Sequence, residues 1–210
     1  MVLDCQNFCI FALMEVRTIV KKGREEKLWY AIRVTYNREL KVKEDLDARG
    51  ITNFVPMQYR REERNGVMVK HLVPSIHNLI FINLTPSEMK EYKETTALPI
   101  RYIMTPGARG TRKPMTVPNH QMENFIKVAG TYEEKLIYLN PNPEDFTQGE
   151  RVRIIGGQFA GAEGIFVRIK RDRRVLVSVP GLVAVATTYV HPSMIEKITD
   201  DNPNRLDNAL

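Results

Sequence analysis

Cations carry most of the chemistry that this sequence offers. Arg101, Arg109, Arg112 and Lys113 share one stretch with no acid between Arg101 and Pro114. A second cluster runs from Gly149 to Arg174, where seven basic residues face three acids. Such patches neutralise phosphates, and each contact adds to a salt-dependent affinity. The plainer reading of Lys170-Arg171-Asp172-Arg173-Arg174 is a solvated turn.

The side chains that do covalent chemistry are not arranged for it. There is no His-Glu-x-x-His or Gly-x-Ser-x-Gly constellation. His71, His77, His120 and His191 are scattered through unlike segments. Glu62-Glu63 and Glu133-Glu134 read as solvated pairs, since carboxylates tuned for proton transfer are usually buried. The run Gly156 to Gly164 has the glycine density of a phosphate loop, but no Lys-Ser/Thr follows and it leads into a strand. Its glycines read as tight-turn residues. Cys5 and Cys9 are too few for a disulfide scaffold or a cysteine-based zinc site. No enzyme, cofactor or metal centre is expected.

The chain has 210 residues, 43% hydrophobic and 27% charged, with a net charge of +6. That suits a folded protein of one domain or two small ones, tilted mildly towards polyanions. The apolar run Phe8 to Met14 is far shorter than the roughly 20 residues that cross a bilayer, and no basic segment precedes it. No membrane association is expected, and the composition reads as cytoplasmic. Met14 is a second candidate start, and residues 1–27 are expected to be poorly ordered.

Several elements must position these residues. Residues 28–34 read as a buried strand. Asn37 then looks like an N-cap for a helix over Glu39 to Arg49, with Val42 and Leu46 on its packed face and Gly50 ending it. Asn53 to Met57 is a second strand. Tyr59 to Val73 reads as an exposed hairpin arm around Asn65-Gly66, a strong type I′ signal, made polar by Arg60, Arg61, Arg64 and Lys70. Leu79 to Leu84 is a central strand. Thr85-Pro86-Ser87-Glu88 is a capping box. A strand over Ile100 to Met104 and a loop over Thr105 to Met115 follow. Val117-Pro118 then opens a helix with Met122, Phe125, Ile126 and Ala129 on one stripe, ended by Gly130.

The fold class expected is an α+β first domain over residues 28–130, a mostly antiparallel sheet with three helices. Residues 131–146, interrupted by Pro141 and Pro143, read as a linker. Residues 147–198 carry five short strands, which predicts a small all-β barrel. A frayed tail, residues 199–210, completes the chain.

The segment from Phe146 to Val167 resembles a KOW motif, with alternating apolar residues, the turn glycines Gly156, Gly157, Gly161 and Gly164 around Phe159, and renewed alternation. KOW domains are SH3-like barrels. Leu28-Trp29-Tyr30-Ala31-Ile32, the Pro74 segment before Leu79-Ile80-Phe81-Ile82, and Val117-Pro118 resemble the N-terminal domain of NusG. Together these resemble NusG/RfaH-type transcription elongation factors over residues 28–198, and most closely the UpxY-type antiterminators of capsular polysaccharide operons.

The resemblance implies a factor that docks on the clamp helices of the largest RNA polymerase subunit and suppresses pausing or termination. The docking positions it implies are Trp29, Tyr30, Pro56, Val73, Pro74 and Phe81. It implies contact with the non-template DNA strand through Tyr36, Asn37, Arg38 and Lys41. Ribosomal protein S10 or termination factor Rho are the partners it implies for the KOW domain, and the protein is expected to act as a monomer. Two departures stand out. Val73 to Asn78 replaces and lengthens the family's Phe-Pro-Gly/Asn-Tyr run, and no His-Thr-Thr element is present. The β-branched runs Val175 to Val179 and Val183 to Tyr189 disfavour the helical form known for RfaH, so a constitutive β barrel is expected. A KOW-containing ribosome-associated or RNA-binding structural protein is the alternative.

Overall fold

A computed structural model describes residues 25–139, 149–169 and 171–198. The expectations for residues 1–24, for most of the Pro-rich segment and for the tail lie outside the described residues. The first module runs β1 (Leu28–Val34), α1 (Glu39–Ala48), β2 (Asn53–Phe54), β3 (Met57–Arg64), β4 (Val67–Pro74), β5 (Leu79–Leu84), α2 (Pro86–Thr95), β6 (Ile100–Tyr102), β7 (Met104–Pro106), β8 (Arg112–Pro114), β9 (Thr116–Val117) and α3 (Asn119–Ala129). The second carries β10 (Ile137–Leu139), β11 (Glu150–Ile154), β12 (Glu163–Ile169), β13 (Asp172–Val179), β14 (Val183–Ala186) and β15 (Ile195–Lys197). The architecture is α+β, with three helices among the described residues and antiparallel pairing throughout the sheets.

The first sheet has the order β2-β5-β1-β6, with β9 also paired to β1. Period-two alternation sends its side chains to two cores. Tyr30, Ile32, Val34, Ile80, Ile82 and Leu84 meet Val42 and Leu46 of α1 and Met89 and Tyr92 of α2. Trp29, Ala31, Leu79 and Phe81 face the other way, towards Met122, Phe125, Val128 and Ala129 of α3. Burial on both faces is why β1 and β5 read as near-continuous apolar runs. Each large side chain fully buried this way contributes about 1.5–3 kcal/mol.

Local signals explain the ends of these elements. At α2, Thr85 Oγ1 accepts the Glu88 N–H at 3.2 Å, and Glu88 Oε2 accepts the Thr85 N–H at 2.8 Å, closing the capping box. At α1 the cap residue is Arg38, not Asn37, and no side chain caps it. Asn65 and Gly66 both take left-handed backbone, with φ of 53° and 77°, as a type I′ turn requires. The segment expected as a loop over 105–115 is a small hairpin, with β7 pairing β8. Its strands are three residues each and carry proline, so no alternation announces them.

The second sheet has the order β10-β14-β13-β12-β11-β15. β10 and β15 end the path, so the expected closed barrel is not shown among the described residues. The linker expected over 131–146 is also interrupted: Ile137–Leu139 is the sheet's edge strand, paired to β14. The two modules share one core through α3. Phe125 contacts Phe54 and Phe81 in the first module, with ring centroids 6.1 and 5.7 Å away. On the second module, Lys127 Nζ donates to Gly161 O at 3.0 Å, and the Glu163 N–H donates to Asn124 Oδ1 at 3.1 Å. Val152, Phe159, Val177 and Val185 belong to the same apolar cluster as Phe125.

Candidate functional site

The turn from β1 into α1 is the most distinctive local geometry. Tyr36 and Asn37 both hold left-handed backbone, with φ of 63° and 51°. For residues other than glycine this conformation is strained by roughly 1–2 kcal/mol. A hydrogen-bonded frame holds it in place. The Asn37 N–H donates to Asn78 Oδ1 at 3.2 Å, and the Asn78 N–H donates to Glu39 Oε1 at 3.2 Å. The Val34 N–H donates to Asn78 O at 2.9 Å. Glu39 is buried at the first turn of α1, a position that favours a carboxylate.

This frame presents Tyr36 to solvent with 80% of its surface exposed. The Arg38 guanidinium lies 5.7 Å from its ring centroid. Lys41 is exposed one helical turn further on. Neither cation is in an ion pair among the described residues, whereas Lys43 and Arg49 on the same helix are held by Asp47 and Asp45. An exposed ring beside an unpaired cation can stack a base while the cation meets phosphate. Tyr36, Asn37, Arg38 and Lys41 are thus brought together. Glu39 and Asn78, which hold them, were missed by sequence reasoning. An acid at the start of a helix was the only available signal.

The six expected docking residues do not form one patch. Trp29 and Phe81 lie beneath α3, 8% and 0% exposed. Tyr30 lies on the opposite face against Tyr102, where burial, then the neighbouring Tyr102 and Glu25, push its hydroxyl pKa up. Pro56 is buried, and its carbonyl accepts the Ser75 N–H at 2.8 Å. Val73 and Pro74 are half-buried at the base of the β3–β4 arm, opposite Gln58 and Met57. Four of the six therefore offer a partner no direct surface in this conformation.

The exposed apolar surface sits further along that arm. Tyr59 and Leu72 are cross-strand partners, each 37% exposed, and Val67, Met68 and Val69 follow towards the tip. Lys70 Nζ sits 4.3 Å from the Tyr59 ring centroid. The arm was expected to be polar, and its arginines hid the exposed apolar run Val67-Met68-Val69 and the Tyr59–Leu72 pair. Its base is anchored to the chain after α3: Gln58 Nε2 donates to Glu134 O at 2.7 Å, and Arg61 pairs with Glu134 at 3.2 Å.

The glycine-rich turn of the second module has a structural geometry. Gly157 and Gly161 take φ of 78° and 80°, which lets the turn insert Phe159 into the shared core at 4% exposure. A Cβ on Gly164 would collide with the Leu176 carbonyl oxygen. Gly156 stands beside Met194 with no comparable restriction. Among the described residues, no group of His, Cys, Asp and Glu could hold a metal ion, and no helix is long and apolar enough to cross a membrane.

Residues 27–126 match the family model described as transcription termination factor NusG. The match covers a little under half of the chain, from β1 into α3, and takes in the Tyr36 turn, the β3–β4 arm and the β7–β8 hairpin. This part of the chain is similar to the NusG family. The second module lies outside the match, and no curated protein matches the chain.

Proposed function

We propose that this protein is a non-enzymatic transcription elongation and antitermination factor that binds RNA polymerase through its first module. The similarity of residues 27–126 to the NusG family carries this reading. In it, the docking surface for the clamp helices of the largest polymerase subunit comprises Val73, Pro74 and the neighbouring pair Tyr59 and Leu72. Aromatic and aliphatic side chains rimmed by arginine have the composition of interface hot spots. Trp29, Tyr30, Pro56 and Phe81 support that surface from within the fold.

Tyr36, Asn37, Arg38 and Lys41 contact the exposed non-template DNA strand, the ring by stacking and the cations by phosphate contact. The second module acts as a KOW domain, an SH3-like barrel whose glycines Gly156, Gly157, Gly161 and Gly164 shape the turn around Phe159. It recruits ribosomal protein S10 or termination factor Rho. The specialised form of the reading is an RfaH- or UpxY-type factor, a cytoplasmic monomer acting on surface polysaccharide operons.

Two assays test it: co-purification of the full chain with core RNA polymerase, and pause suppression on a purified elongation complex. The double variant Tyr59→Asp/Leu72→Asp should lose both while keeping the wild-type melting temperature. Full retention of polymerase binding by that variant removes the proposed docking surface. Salt-sensitive binding of naked ribosomal RNA without polymerase association would instead support a ribosome-associated RNA-binding role.

A further inference from the structure

The register of the first sheet places two arginines side by side. Arg33 of β1 lies directly opposite Arg101 of β6, and both are exposed. Directly opposed residues of an antiparallel pair share a face, with Cβ atoms about 4.5–5.5 Å apart, and like charges there are destabilising. Neither arginine is in an ion pair among the described residues. The fold therefore tolerates a repulsive pair that a single acid would relieve.

The β7–β8 hairpin leaves the sheet next to this pair. The Ile103 N–H donates to Ala31 O at 3.2 Å, and the Ala31 N–H donates to Met115 O at 3.1 Å, which fixes both hairpin ends against β1. The hairpin carries Arg109 at its tip and Arg112 and Lys113 on its return strand, all exposed. None of the three is in an ion pair among the described residues, and the chain holds no acid between Arg101 and Glu123. The tip is ordered by its own bonds. The Gly107 N–H donates to Thr111 O at 2.7 Å, and Thr111 Oγ1 donates to Ala108 O at 2.7 Å. Arg109 is held in left-handed backbone at φ 54°.

We propose that Arg33, Arg101 and the β7–β8 hairpin bind the phosphate backbone of duplex DNA. Charge selects a polyanion. The shape and composition of the hairpin select which one. It has no aromatic residue, so it lacks the stacking platform that single strands require. Its single exposed large apolar side chain is Met104, too little to anchor a protein interface or insert into a membrane. Arg112 and Lys113 are successive strand residues and point to opposite faces of the ribbon. A two-stranded ribbon with cations on both faces and at its tip fits the wide groove of B-form DNA, which has phosphates on either side. The deep, narrow groove of duplex RNA does not admit it. This site is separate from the stacking turn at Tyr36 and does not depend on polymerase docking.

The test is equilibrium binding of the full chain to a labelled mixed-sequence DNA duplex, followed by anisotropy across a salt series. Each lost phosphate contact removes about 0.9 from the slope of log affinity against log salt. The triple variant Arg109→Ala/Arg112→Ala/Lys113→Ala should lower that slope by about 2–3 and weaken low-salt binding at least tenfold. Arg101→Glu gives an internal control, because it faces Arg33: it should raise the melting temperature while weakening duplex binding. An unchanged slope in the triple variant overturns the proposal. So does a greater loss of affinity for a single-stranded or duplex RNA probe, or for anionic vesicles, than for duplex DNA. Wild-type pause suppression without duplex binding would overturn this inference and leave the polymerase reading standing.

Discussion

Tyr36 combines a conformational cost with the most exposed ring of the first module. An aromatic residue gains nothing from left-handed backbone, so its retention there fits a role for the exposed ring. Tyr36→Gly separates the two effects. Relief of strain, less the added chain entropy of glycine, should raise stability by about 0.5–1 kcal/mol. Loss of the ring should weaken single-stranded DNA binding by about 1–3 kcal/mol. Urea denaturation and anisotropy on a single-stranded probe check the two halves, and a fall in stability would remove the strain argument. At this scale the sequence was partly legible. Arg38 and Lys41 stand out beside a helix start, but nothing in it marks Tyr36 for positive φ. Asn78 and Glu39, which hold the turn, lie 39 residues apart.

Among the elements, those with a covalent-scale signal were readable and those made by tertiary pairing were not. The Asn65-Gly66 turn and the Thr85–Glu88 capping box each specify local backbone, and both form as their residue types require. The β7–β8 hairpin and β10 are three-residue strands, too short for periodicity, and exist because neighbouring strands offer them partners. Contacts between elements follow the same logic, as Tyr92 of α2 shows. Its hydroxyl donates to Asp45 Oδ2 of α1 at 2.9 Å. Burial first, then that bond, pushes its pKa from 10.0 up to about 12. The folded value exceeds the unfolded one, so the contribution is complete below pH 10 and is lost as pH rises towards 12. Denaturation across that window should show stability falling with pH. Tyr92→Phe should flatten this part of the curve, and an unchanged pH dependence would exclude Tyr92 as its source.

For the whole molecule, the sequence reads as two modules joined by a loop, while the structure joins them through a helix buried on both sides. The apolar stripe of α3 was legible, but its second packed side was not: Val128 lies off the i, i+3, i+4, i+7 pattern and is fully buried. A shared core has a thermodynamic consequence, because neither module can expose its side of α3 without loss to the other. The net charge of +6 then acts over one body, with Arg33, Arg101, Arg109, Arg112 and Lys113 grouped on β1, β6 and the β7–β8 hairpin. Phe125→Ala removes the ring that contacts Phe54 and Phe81 and should cost about 3–5 kcal/mol. Fluorescence of Trp29, the single tryptophan, reports the first module. Circular dichroism reports both. In the wild type the two signals should melt in one coincident transition, and in Phe125→Ala both should shift down together. Separate transitions, or a shift confined to Trp29, would mean that the modules fold independently and that the α3 contacts to Gly161 and Glu163 do not couple them.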